Sequence, residues 1–236
     1  MALLGLTACK PAVNLTASPT PQILQVDYTP ALRPFTTQLN QCAASQPDLG
    51  LADREVPAKT LDLSQSDMGL QWGEISAHSG FTVEIGQETL IIITNPENPL
   101  RELSLSDLQS LYSGNIQNWN TLEPDQGFDE AVQIWLTPLG ADDRQVFNNL
   151  MSADKTLSPQ AYLAPDPQAM LEAVATNRGA IGYLPSQWHQ DSVQKIQLND
   201  APLSILEQPI LASTSIEPTG KVRIFLQCLQ KMDQIQ

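Results

Sequence analysis

Histidine is nearly absent from this chain of 236 residues: His78 and His189 are the only two, and they lie far apart. The three cysteines, Cys9, Cys42 and Cys228, form no C-x-x-C pair. Together these scarcities argue against a structural zinc site or a dithiol redox motif, and no metal and no cofactor are expected. No G-x-S-x-G is present, and His78 lies in Ser76-Ala77-His78-Ser79-Gly80, a loop-like stretch without a neighbouring nucleophile motif. Serine hydrolysis needs a histidine beside its nucleophile, so no catalytic residue is assigned and the chain is not expected to be an enzyme. Basic residues are also few, 12 against 26 acidic ones, for a net charge of −14. Such a field repels nucleic acid, and it makes an anionic ligand hard to attract unless its site is locally positive. No segment after the N-terminus reaches the 18 or so consecutive apolar residues of a membrane-spanning helix.

What the chain does contain begins with an apolar N-terminus. Leu6-Thr7-Ala8-Cys9 resembles a bacterial lipobox, in which the chain is cut before the cysteine and the thiol takes a diacylglycerol. An apolar run, small residues at the cleavage point and a polar segment beyond fit that logic, although the basic start of such signals is missing. Residues 1–9 are therefore read as a truncated lipoprotein signal whose true start lies upstream. A lipid anchor at Cys9 would place the remainder outside the cytoplasm, at the membrane surface, where disulfides form. Residues 10–22, rich in Pro, Ser, Thr and Ala without periodicity, read as a flexible tether.

Beyond the tether, strand-like and helix-like segments alternate. Ile23–Tyr28 reads as a strand, and Pro30 suits a first helical turn, where its missing N–H has no partner to lose. Leu32, Phe35, Leu39, Cys42 and Ala43 then share a helical face. Strands are expected near 49–56, 67–73, 89–94, 131–136, 180–184, 193–198 and 203–212. Helices are expected over 103–114, 142–151, 167–177 and from about Thr219, the last with Val222, Phe225, Leu226 and Leu229 on one face. The unbroken apolar run Thr89–Thr94 predicts a strand buried on both faces. This alternation defines an α/β protein with mixed, mainly parallel sheets.

Several motifs occur in a fixed order: Asn95-Pro96-Glu97-Asn98-Pro99, a capped helix from Leu103 to Gly114, Ser113-Gly114-Asn115-Ile116-Gln117-Asn118-Trp119, and Gly179-Ala180-Ile181-Gly182-Tyr183. In type and order they resemble the phosphate-type substrate-binding proteins of ABC importers, over roughly residues 23–200. The resemblance implies a two-lobed, type II periplasmic-binding-protein-like fold with a hinge. One lobe would comprise 23–95 plus 186–236 and the other 96–185, with Ile91–Thr94 and Ile181–Leu184 leading into the crossings. Ligand would bind in the cleft between lobes. Physically the motifs are turns and core positions: Asn-Pro pairs turn the chain at strand ends, and Trp119 and Tyr183 pack inside.

The resemblance implies an oxyanion held at helix N-termini, where unpaired N–H groups and the dipole favour negative charge. The first such place is Thr29-Pro30-Ala31-Leu32, where Thr29 either caps the helix or donates to a ligand and Ala31 and Leu32 offer N–H groups. The second is Thr137-Pro138-Leu139-Gly140-Ala141-Asp142-Asp143-Arg144. Here the family's arginine and Ser-Gly-Thr are missing. Asp142 and Asp143, both good capping residues, repel an anion and compete for the same N–H groups, while Arg144 sits within the helix, where a surface acid could pair with it. Trp72 occupies the region of an acceptor carboxylate, either stacking on a ligand or packing in the core. The site candidates are thus Thr29, Ala31, Leu32, Trp72, Gly140, Ala141, Asp142 and Arg144. Cys42 and Cys228 either form a disulfide between two helices of one lobe or remain buried thiols.

Function follows as an expectation: a monomeric, lipid-anchored, extracytoplasmic binding component of an ABC importer, partnered by a membrane permease. Its ligand would be small, with oxyanions among the candidates, although phosphate is not expected to bind at the family's usual strength. The alternative is a sensor or accessory lipoprotein with a degenerate phosphate site.

Overall fold

The computed structural model describes residues 21–74, 80–122, 124–151 and 156–233. The readings of Cys9, of the signal over 1–9, of the tether up to residue 20 and of His78 fall outside these residues. The first part runs β1 (Gln22–Tyr28), a 3₁₀ segment Pro30–Phe35, α1 (Thr36–Ala44), β2 (Leu49–Glu55), β3 (Met68–Trp72) and β4 (Phe81–Thr94). Then follow β5 (Glu102–Leu103), α2 (Leu105–Tyr112), β6 (Gln133–Leu136), α3 (Asp142–Leu150), β7 (Tyr162–Leu163), α4 (Pro167–Thr176) and β8 (Ala180–Pro185). The chain closes with β9 (Gln194–Leu198), α5 (Leu203–Leu206), β10 (Glu207–Thr214) and α6 (Gly220–Asp233).

The strands form one path, β2-β1-β3-β10-β4-β8-β6-β7, with β9 on the other side of β4 and β5 beside β9. Strand β4 is the shared element. Its first part, Phe81 to Thr89, pairs antiparallel with β10, and its second part, Leu90 to Thr94, pairs antiparallel with β8. Two half-sheets therefore meet along one continuous strand. Parallel pairing dominates away from it: β1 with β2 and β3, and β6 with β7 and β8. Leu90, Ile91, Ile92, Ile93 and Thr94 are all buried, as the unbroken apolar run predicts for a strand covered on both faces.

The return path differs from the sequence reading. The chain was expected to re-enter the first lobe directly after Leu184, so that 186–236 would belong to it. Instead β9 pairs antiparallel with Ile92–Thr94 of β4 and parallel with β5, which puts 194–198 in the second half-sheet. Only then does the chain cross back, through α5, to β10. The excursion between β8 and β9 is pinned by Glu88, whose carboxylate accepts hydrogen bonds from the Ser186 N–H (2.8 Å) and hydroxyl (2.5 Å). The segment near 203–212 was read as one strand; Pro202 precedes a single helical turn, and the strand starts at Glu207.

The motifs prove to be packing devices. The Asn95 side-chain amide donates to the carbonyls of Val174 and Ala175 at the end of α4, and its oxygen accepts from the Glu97 N–H in a tight turn. The Trp119 indole N–H reaches the Gly179 carbonyl at 2.9 Å, joining two motifs 60 residues apart. A Cβ on Gly179 would stand 2.0 Å from the Ala131 carbonyl oxygen, and one on Gly182 would stand 2.5 Å from the Met170 sulfur. These two glycines are therefore required by close approach of backbone and helix. Ser104 caps α2, its hydroxyl oxygen accepting from the Asp107 N–H at 3.0 Å, and Gly114 beyond the helix end has a φ of +80°.

In the first half, α6 packs Phe225, Leu226 and Leu229 inward and lies against α1 and β4. Cys42 on α1 and Cys228 on α6 are joined by a disulfide, 186 positions apart in the sequence and with Cα atoms 5.7 Å apart. Closing so long a loop restricts the unfolded chain strongly. A thiol titration of the denatured, unreduced protein should therefore find neither of these two thiols. Replacing both by Ser should lower stability by about 2–5 kcal/mol in urea unfolding.

Candidate functional site

In open α/β sheets, ligands bind beyond the carboxyl ends of the strands, where loops and helix N-termini converge. Here β1 ends at Tyr28 and β6 at Leu136, and the loops that follow them face each other across a cavity of about 220 Å³. Thr29, Pro30 and Ala31 line it from the first half, and Gly140, Ala141 and Asp142 from the second. A larger cavity of about 780 Å³ lies near Gln22, Asp67 and Lys221. That one sits at the opposite, amino-terminal end of β1 and is a broad groove within one half. The smaller cavity is the candidate site, because both halves build its wall.

Asp142 dominates the geometry. It is the first residue of α3, and the residue in N-cap position is Ala141, which has no side chain to cap with. The sequence reading of Asp142 as a cap is corrected: its carboxylate is drawn away from its own helix. One oxygen, Oδ2, accepts from the Thr29 hydroxyl and from the Trp72 backbone N–H at 2.9 Å. Both donors belong to the other half of the molecule. Thr29 follows β1 directly, and its own N–H donates to the Leu70 carbonyl, so its position is set by β1 and β3 together.

Asp143 uses up the helix end that Asp142 leaves. Its Oδ1 accepts from the Arg144 N–H (2.9 Å) and from the Thr137 hydroxyl (3.1 Å). The Ala141 N–H is occupied as well, donating to the Pro138 carbonyl. Part of the amino end of α3, which the sequence marks as an anion site, is thus engaged from within, through the Arg144 and Ala141 N–H groups. Burial drives both carboxyl groups toward their neutral forms, Asp142 up to about 6 and Asp143 up to about 7, while their hydroxyl and N–H donors oppose the shift. Each also has one buried oxygen, Asp142 Oδ1 and Asp143 Oδ2, without a hydrogen-bond partner. A buried charged oxygen without a donor is costly, which is the physical reason for the shift.

The other expected site residues divide. Leu32 does not offer its N–H, which donates to the Thr29 carbonyl at 2.9 Å. Trp72 does not stack on a ligand: its ring is fully buried, with its indole N–H shared between the Glu88 and Gln208 carbonyls, and only its backbone N–H reaches the site. Arg144 pairs with no surface acid. It is buried and turned to the Thr137 carbonyl (2.7 Å) and the Asn148 side chain (3.0 Å).

Sequence reasoning missed Asp166 and the segment Pro57-Ala58-Lys59, which line the cavity, and gave no separate role to Thr137, the first residue of the second marked stretch, which lines it too. Asp166 had a visible signal, since Asp-Pro before an apolar helix marks an N-cap. Its side chain does accept the Ala169 N–H, and it stands 3.7 Å from Arg33 across the cleft. Pro57–Lys59 carried no signal, because their place depends on β2 pairing with β1.

Two half-sheets hinged on a shared strand, with a cleft between them at the strand ends, define a type II periplasmic-binding-protein-like molecule. Residues 39–220 match the PBP superfamily domain, and the chain belongs to that superfamily. A putative phosphate ABC transporter substrate-binding protein from Clostridium perfringens, with bound phosphate, superposes with a TM-score of 0.78 at 19% identity, over 91% of this chain and 96% of that one. An ABC-type phosphate transport receptor from Vibrio cholerae gives a TM-score of 0.66 at 19% identity, over 88% and 93%. The regulatory domain of OxyR2 from Vibrio vulnificus gives 0.65 at 11% identity, over 92% and 99%. Likenesses at these identities establish the fold.

The raised carboxyl groups have a stability consequence. Where a native carboxyl holds its proton more tightly than the unfolded chain does, the native state is favoured below the native pKa and loses that advantage as pH rises. Stability should therefore fall from about pH 4 to about pH 7, by an amount on the order of a few kcal/mol. Urea unfolding at pH 4.5 and 7.5 measures it. The Asp142→Asn/Asp143→Asn double variant should flatten the slope, which separates these two groups from the general acidity of the chain.

Proposed function

We propose that this protein is an extracytoplasmic binding component of an ABC-type importer, which captures a small ligand between its two halves and presents it to a membrane permease. The observation that carries this reading is the inter-half cleft, walled from both sides and hinged on β4. Two of the structures it resembles are described as phosphate transporter components, and the resemblance of Leu6–Cys9 to a lipobox supports a monomer tethered to the membrane by a lipid on Cys9.

The ligand in this reading is not a free oxyanion held at α3. Asp142 takes the Thr29 hydroxyl and the Trp72 N–H that face the cleft, Asp143 takes the Arg144 N–H of α3, and an anion beside either carboxylate in its ionised form would meet repulsion in a poorly screened place. That same observation favours a second reading: an accessory or sensory lipoprotein that kept the fold while its anion site lost its purpose.

Isothermal titration with phosphate at pH 7 should show no sub-micromolar binding; a dissociation constant below 1 μM refutes the reading of the cleft. Affinity purification of the full-length protein from its own membranes separates the two roles. Recovery of a permease with its ATPase supports import, and their consistent absence supports the accessory role.

A further inference from the structure

The cleft holds its own ligand. We infer that the Asp142 carboxylate is a tethered substitute for an external anion, keeping the two halves closed on each other without any bound solute. This rests on the cleft being the ligand site, and not on any permease.

Three observations carry it. First, Asp142 bonds only across the cleft: its Oδ2 accepts from the Thr29 hydroxyl and the Trp72 N–H, 113 and 70 residues away. Both are donors of the first half, and Asp142 is the first residue of α3 in the second. Second, the carboxylate is desolvated, with Asp142 only 2% exposed. A surface aspartate at a helix start would ordinarily cap its own helix or face water. This one forgoes both, while Ala141 leaves the cap without a side chain. Third, the closure around it is continuous. Val146 of α3 approaches Gly73 of the first half, and Arg33 faces Asp166 across the opening. The Trp188 indole N–H, from the excursion between β8 and β9, donates to the Ala31 carbonyl at 2.9 Å.

In a hinged receptor, a ligand favours the closed form only by the interactions it makes in that form and not in the open one. Asp142 makes such interactions permanently, because covalent attachment gives it a high effective concentration at the donors. A free anion must displace it to bind. Asp142 is thereby a specificity-determining residue as well as a latch: it sets both the resting conformation and the exclusion of oxyanions.

The test compares full-length wild type with Asp142→Ala, Asp142→Asn and Thr29→Val by small-angle scattering and by phosphate titration. Wild type should give one compact profile that phosphate leaves unchanged. Asp142→Ala should have a larger radius of gyration, bind phosphate about tenfold or more tightly than wild type, and contract when phosphate is added. Asp142→Asn keeps an acceptor oxygen for Thr29 and Trp72, so it should remain compact. Asp142→Ala with wild-type dimensions and wild-type indifference to phosphate overturns the inference. If Asp142→Ala does not fold, Thr29→Val decides: it keeps the side-chain shape and loses one donor, and an unchanged profile would overturn the latch. Tight phosphate binding by wild type is a different failure, since it removes the reading of the cleft itself.

Discussion

One strand carries both halves of the molecule. Every backbone group of β4 that pairs on the first side pairs with β10, and the same strand continues a few residues later between β8 and β9. A hydrogen-bonded ladder resists shear along its length, so the two halves are held in register along β4. Glu88 lies where the two pairings change over. Its carboxylate gathers the Ser186 N–H and hydroxyl and the Thr89 N–H, so the turn out of β8 is fixed to the pivot where the two half-sheets meet. The position of the cleft follows from that pivot.

What fills the cleft follows from charge and burial. An anion site needs donors with no internal acceptor, and the first half does present a hydroxyl and an N–H directed at the cleft. The second half answers with carboxylates. Asp142 accepts the donors of the opposite half, and Asp143 those of its own helix end and of Thr137. The surrounding shell reinforces the arrangement. The Tyr183 hydroxyl donates to the Thr137 hydroxyl oxygen at 2.9 Å, since the Thr137 proton goes to Asp143, and Phe147 stacks on Tyr183 at 4.2 Å, so the base of the site is continuous with the aromatic core. This network sets the geometry of Asp142 and Asp143, and burial, with one oxygen of each left without a partner, raises both carboxyl groups.

Much of the fold was legible residue by residue. The apolar run Leu90–Ile93 marked the central strand, Asn95-Pro96 marked its end, and Ser104 with Asp107 marked the start of α2, because each rests on a local rule of periodicity, turn geometry or capping. The glycines of Gly179–Tyr183 could be recognised as a motif, but the reason for them could not. It lies in the Ala131 carbonyl and the Met170 side chain, which approach from distant segments. The return path was misread for the same reason: nothing in Gln194–Leu198 says whether it will pair with β4 or with a strand of the other half. At the site, the residues following β1 and β6 were found from their sequence, while Pro57–Lys59 and the inward turn of Arg144 were not.

The sequence by itself determined most of the elements, the α/β class and the conflict of charge at Asp142 and Asp143, since these depend on residue type and spacing along a few turns of chain, while the two-lobed arrangement was implied only by the resemblance of its motifs. Whether Asp142 would cap α3, face water or cross to the other half was decided only in three dimensions. Trp72 and Thr29 are brought beside it by the pairing of β1 with β3 and by the hinge at β4. A donor 70 or 113 residues away leaves no trace in the spacing around the carboxylate it meets.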